Sequence, residues 1–228
     1  VGFGGGSSYI ALLAFMNVPY QYIPTIGLIC NLIVVSGGCW HYYKNNQLNN
    51  KLIFPLIFSS APMAFLGGMI VLKEKVFFTI LLISLILSSL RLLFSTHRET
   101  DLAAPPKIIP LIIMGSIIGF TAGMVSIGGG IFLTPILLNL GWGKPKEIAA
   151  TSCIFIFVNS FFGIIGQVTK GVPENLHFYF PLFLAVFLGG QIGSRLSNHD
   201  LMSQRKIQIF SAILILFICF NLIYKTLQ

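Results

Sequence analysis

Two stretches of this 228-residue chain carry the strongest hint of chemistry, Val1-Gly-Phe-Gly-Gly-Gly-Ser-Ser and Val125-Ser-Ile-Gly-Gly-Gly-Ile-Phe. Each sets three consecutive glycines (Gly4, Gly5 and Gly6; Gly128, Gly129 and Gly130) directly before a short apolar run. A glycine costs a helix about 1 kcal/mol relative to alanine, so three in a row interrupt it. In hydrocarbon the freed backbone groups must be satisfied by protein or water. A helix restarting just after the break aims its free N–H groups and positive dipole end back at it. That end is an anion site, and broken helices are where transporters bind substrate. Close helix packing is the alternative, and it is the favoured reading for Gly115, Gly119 and Gly123, a small-xxx-small ridge.

A second set of residues is polar but uncharged. Thr151 and Ser152 are followed by Asn159, Ser160 and Gln167, and the first half carries Thr25, Asn31, Ser36 and His41. Polar groups seven or eight residues apart share a helix face, which could line a pathway without net charge. The bland counterpart is interhelical hydrogen bonding, worth about 0.6 kcal/mol each in membranes. The expected anion site therefore comprises both triple glycines with Thr25, Asn31, Thr151, Ser152 and Asn159.

The absences narrow the chemistry further. All six acidic residues (Glu74, Glu99, Asp101, Glu147, Glu174, Asp200) fall in or beside connections between apolar runs. Proton- and cation-coupled carriers typically place a carboxylate within a span. No paired carboxylates, metal-ligand spacing or nucleophile–base pair stands out, so an enzyme is disfavoured and no cofactor is implied. The four cysteines (Cys30, Cys39, Cys153, Cys219) lie inside apolar runs and read as small apolar residues.

The elements that must position these groups are membrane helices. Hydrophobic residues make up 55% of the chain and charged residues 9%, against about 25% charged in an average soluble domain. With a mean hydropathy of +0.88, a soluble enzyme or nucleic-acid binder is excluded. The net charge of +8 sits between apolar runs, where basic residues orient a membrane protein. A span needs about 20 apolar residues. Seven runs qualify: 22–43, 52–72, 76–94, 108–127, 148–169, 178–196 and 207–224. Two shorter runs, 7–18 and 131–142, each follow a triple glycine and are nearer half a span.

The halves repeat. The triple glycines match at an offset of 124. At an offset of 126 Pro19 meets Pro145, Thr25 meets Thr151, Gly37 meets Gly163, Pro55 meets Pro181 and Gly67 meets Gly193. This divides the chain into a first repeat (1–94), a connection (95–107) and a second repeat (108–228). A full span precedes the second triple glycine, and the repeat predicts an equivalent helix ahead of Val1. The expected fold is an all-α polytopic bundle of two repeats with glycine-broken half-helices.

Length and charge conflict over the orientation of the halves: residues 128 to 142 reach only about 22 Å as a helix, which suits a segment that dips and returns. If each short segment dips in and returns, the halves are parallel and the fourteen Lys and Arg residues divide seven and seven. If each short segment crosses, the halves are inverted. One side then holds Lys44, Lys51, Arg91, Arg98, Lys107, Lys144, Lys146, Arg195, Arg205 and Lys206. The other keeps Lys73, Lys75, Lys170 and Lys225. Ten against four obeys the positive-inside rule, which favours inversion with 95–107 cytoplasmic and the C-terminus outside.

These motifs resemble the TauE/SafE family of sulfite exporters. The second half matches through Gly123, Gly128-Gly129-Gly130, Pro135, Ala149-Ala150-Thr151-Ser152 and the Gly189-Gly190-x-x-Gly193 stretch. The first half matches less closely, with Ala11 in place of the proline and Pro24-Thr25-Ile26 in place of Ala-Thr-Ser. The resemblance implies a multi-pass protein of the bacterial cytoplasmic membrane that moves sulfite or another sulfur oxyanion or organosulfonate. An anion channel and a non-transporting membrane scaffold stand as alternatives. The expected partners are a small anion and the lipid bilayer. The oligomeric state stays open.

Overall fold

A computed structural model describes residues 6–16, 18–94, 107–171, 176–198, 209 and 212–220. Its helices are α1 (Gly6–Phe15), α2 (Ile23–Lys44), α3 (Asn50–Met69), α4 (Glu74–Phe94), α5 (Ile108–Val125), α6 (Gly130–Asn139), α7 (Pro145–Val168) and α8 (Phe180–Asn198). A 3-10 turn (Leu176–Tyr179) precedes α8, and residues 212–220 are again helical. There is no strand among the described residues. Among the described residues, four helices, α2, α3, α5 and α7, are long and apolar enough to cross a membrane. Two more of the seven expected runs are occupied by α4 and α8, and the last is described only at 209 and 212–220.

Local signals set the boundaries. Pro24 and Pro145 open α2 and α7, where a missing N–H costs nothing. The Asn49 side chain caps α3 by accepting the Lys51 N–H at 3.2 Å. Helix α5 stops where Ser126, Gly128 and Gly129 all take left-handed backbone, with φ of 63°, 80° and 68°. A Cβ is disfavoured in that region, and one at Gly129 would also lie 2.7 Å from Ile118 and 2.9 Å from Phe155. The chain reverses there and resumes as α6.

Glycines also govern how the helices meet. On α5, a Cβ at Gly115 would lie 2.2 Å from Ser59 Oγ, at Gly119 2.6 Å from Ser60 O, and at Gly123 2.1 Å from Ala64 O. The ridge is thus a packing surface against α3, as small residues are in membranes. The paired numbers rise together, so α3 and α5 run in the same direction. Helix α7 runs with them, since Gly68 abuts Gly163 and Gly166 while Gly163 abuts Gly123. Against these, α2 is antiparallel: Gly38 meets Cys153, and Gly163 meets Leu28.

The two short helices are half-length legs that point opposite ways. In α1, Gly6 lies beside Asn31 and Ile10 packs on Gly27, so α1 climbs from mid-depth to the face where α2 begins. In α6, Gly129 meets Ile118 and Phe155, and Thr134 meets Ser152, so α6 descends from mid-depth to the face where α7 begins. Helices α5 and α6 therefore form a hairpin that enters and leaves by one face. That face carries the connections 45–49 and 140–144 and the start of α5. The opposite face carries 18–22, 70–73 and 169–171. Helix α8 descends beside α2, with Gly190 on Val34 and Gln191 on Gly37.

Two apolar cores flank the breaks. One joins Ile10, Ile26, Leu81, Ile127 and Ile215; the other joins Leu52, Leu111, Leu137, Ile148 and Phe155. Large apolar side chains such as Phe58, Ile109, Ile117 and Phe161 are exposed on the outside. In water such a surface would aggregate; in a bilayer it is the lipid face.

Candidate functional site

The start of α1 and the break between α5 and α6 meet at mid-depth. A Cβ on Gly6, the first residue of α1, would stand 2.6 Å from the Ile127 carbonyl oxygen and 3.0 Å from Asn31 Oδ1. A Cβ on Gly128 would stand 3.1 Å from Asn31 Nδ2. Asn31 is fully buried and lies about 12 Å along α2 at 1.5 Å per residue. Its amide ties the breaks together: Nδ2 donates to Ser126 O at 3.0 Å, and Oδ1 accepts from the Tyr9 hydroxyl of α1. Ser126 is fully buried as well, and its hydroxyl donates to Pro24 O at 2.7 Å.

The N-terminal end of α6 faces this junction without a side-chain cap. Its first turn is not wholly free, since Gly130 N–H donates to Gly128 O at 2.8 Å. Beside Gly129 a small cavity of about 10 Å³ is lined by Ser84, Thr121, Ala122, Val125, Ile127 and Phe132. That is room for about one water.

Among the described residues, four buried side-chain atoms have no hydrogen-bond partner: Asn159 Oδ1 and Nδ2, Ser160 Oγ and Ser60 Oγ. Asn159 and Ser160 lie on α7 one turn beyond Ile156, which touches Gly128, and one turn before Gly163, which touches Gly123. They therefore sit beside the break. Ser60 packs against Gly119, one turn before Gly123 and so at the same depth. Leaving a buried polar group unsatisfied costs about 1–3 kcal/mol.

The remaining expected residues are distributed along the axis. Thr25 lies at the start of α2, in a cleft of about 450 Å³ that Gln21, Tyr22, Gln167 and Lys170 also line. Gln167 Nε2 donates to Gly123 O at 3.1 Å. Thr151 and Ser152 lie at the opposite end, at the start of α7. The Thr151 hydroxyl bonds back to Glu147 O at 2.8 Å, and Ser152 Oγ accepts from Thr134 at 2.7 Å. His41 is exposed and pairs with Asn45 across 3.0 Å. Gly130 opens α6 against the junction, whereas Gly4 and Gly5 lie outside the described residues.

Sequence reasoning missed Ser126, Tyr9 and Ser60. A signal existed for Ser126, because a break of this kind needs a polar residue to hold its reversed backbone. Tyr9 and Ser60 look like ordinary helix residues until the packing is known.

The family model Sulfite exporter TauE/SafE matches residues 1–222. The chain belongs to the TauE/SafE family. Among similar proteins, the probable membrane transporter protein y4hK of Sinorhizobium fredii is 31% identical over 220 residues, covering 94% of this chain and 88% of its own. The probable membrane transporter protein YunE of Bacillus subtilis is 25% identical over 99% of this chain and 92% of its own. A probable membrane transporter protein of Methanocaldococcus jannaschii is 24% identical over 88% and 82%. No solved structure matches. This TauE/SafE chain is accordingly a multi-pass membrane protein of a transporter family, with its glycine breaks at the centre of the bundle.

Proposed function

We propose that this protein is a secondary carrier for a small anion, with sulfite or another sulfur oxyanion or organosulfonate as its substrate class. The observation that carries the proposal is the meeting of two oppositely directed half-helices at mid-depth, joined through Asn31 and Ser126 and flanked by orphaned Asn159, Ser160 and Ser60. Helix N-termini contribute positive potential where no Lys or Arg has to be buried. The orphaned amide and hydroxyls can donate to oxyanion oxygens. The carboxylates of the described helices, Glu74 and Glu147, lie in first turns at the ends of α4 and α7, and the family's description names sulfite.

The helix directions support the inverted-repeat reading. Helices α1 and α6 point apart, α2 opposes α7, and α3 packs along α7 as α8 packs along α2. A site on a pseudo-two-fold axis can be served from either side by equivalent motions of the two halves. The half-helices α1 and α6 run from mid-depth to opposite faces, as two inverted halves require. We assign the face with 45–49 and 140–144 to the cytoplasm of a bacterial cytoplasmic membrane, following Lys44, Lys51, Lys107, Lys144 and Lys146 beside it.

The test is flux of ³⁵S-sulfite into proteoliposomes, with and without a pH gradient. A carrier gives saturable uptake that competing short sulfonates inhibit. Uptake that never saturates points to a channel. No uptake by correctly inserted protein overturns the proposal.

A further inference from the structure

The cleft of about 450 Å³ opens on the face of the 18–22 and 70–73 connections and has an unusual lining for so apolar a protein. Polar groups of Gln21, Tyr22, Thr25 and Gln167 face it, and Lys170 is its one charged residue among the described lining. The Lys170 ammonium donates to Ile70 O at 3.1 Å, which uses one of its three protons. Among the described residues it pairs with no carboxylate. Partial burial pulls its pKa below the ordinary lysine value.

Residues of the cleft are also bonded to the chain around the glycine break. Met124, at the end of α5, lines it, and the Pro24 backbone in its wall accepts the Ser126 hydroxyl. Gln167 in its floor holds the Gly123 carbonyl. A lysine at a helix end often does no more than cap carbonyls. Here it lines a polar cleft whose Pro24 and Gln167 are bonded to Ser126 and Gly123, on either side of the end of α5.

We infer that this cleft is the anion vestibule of one membrane face, with Lys170 as the charge that admits the ligand and Thr25 and Gln167 as its floor. The inference rests on the transporter reading above. At the 126-residue offset Lys170 corresponds to Lys44, in the last turn of α2 on the opposite face. Thr25 corresponds to Thr151, which is buried and bonded to its own helix. Thr25 thus lines a cleft at one end, whereas Thr151 is bonded to its own helix at the other, with a lysine at each.

The test separates the vestibule from transport. With Cys30, Cys39, Cys153 and Cys219 replaced by alanine, Gln21→Cys places a thiol in the cleft lining. Its rates with an anionic and a cationic methanethiosulfonate are compared with those of a free thiol. The anionic reagent should be favoured by about tenfold, the scale on which a charged cleft concentrates counter-ions. Lys170→Gln should return the ratio to that of the free thiol, and Lys170→Arg should keep it. In proteoliposomes Lys170→Gln should raise the KM for sulfite about tenfold with little change in maximal rate. A labelling ratio unmoved by Lys170→Gln overturns the vestibule even if sulfite is carried. Absent sulfite flux beside a Lys170-dependent ratio overturns the transporter reading and leaves the vestibule standing.

Discussion

Asn31 and Asn159 are both fully buried amides near mid-depth, yet their situations are opposite. Asn31 has partners on two elements, Tyr9 of α1 and Ser126 of the break, so it works as a clasp. Asn31→Ala strands a buried hydroxyl and a buried carbonyl, and each stranded group costs about 1–3 kcal/mol. The expected result is a lower unfolding temperature in detergent together with weakened flux; an unchanged melting temperature would contradict the clasp. Asn159 holds nothing, which makes it the better reporter of function. Gly129 is less useful, because a side chain there would meet Ile118 at 2.7 Å and Phe155 at 2.9 Å as well as a φ of 68°. Gly129→Val should lose flux, but its loss confounds folding with binding.

Among the elements, the α3–α5 seam is the tightest part of the bundle. Gly119→Ala drives a methyl to 2.6 Å from Ser60 O, a backbone atom that cannot swing aside. Overpacking of this kind costs about 1–3 kcal/mol. Gly189→Ala on α8 meets nothing within 4 Å and serves as the control. Thermal unfolding of the two variants should show a clear drop for Gly119→Ala and none for Gly189→Ala. Equal melting temperatures would refute the seam. The small-xxx-small spacing made this ridge legible in the sequence, as the triple glycines did the half-helices, because glycine has few uses inside a membrane helix. What the spacing could not convey was that α6 is a return leg. Its ten residues are too short to cross, and only the contacts of Gly129 and Thr134 reveal that it runs back beside α5. The orphaned cluster was only partly legible, since Asn159 stands out as a polar residue in an apolar run whereas Ser60 depends on register between helices.

For the whole molecule, direction of the helices and distribution of charge agree. The alternation of α5, α6, α7 and α8 puts the connections at 45–49 and 140–144 on one face, with Lys44, Lys51, Lys107, Lys144 and Lys146 beside them. A single cysteine at Gln47 should therefore react with an impermeant reagent only after the membrane is opened, and one at Gln21 should react from outside. The reverse pattern would invert the assigned orientation, and labelling of both from one side would break the fold's two-faced layout. The central claim is that the meeting point of the half-helices binds the anion, and Asn159→Leu tests it most directly. Leucine fills the same space and removes two unsatisfied atoms, so the account predicts a melting temperature equal to or above the wild type with sulfite flux reduced at least tenfold. Wild-type flux in a stably folded Asn159→Leu protein would contradict it.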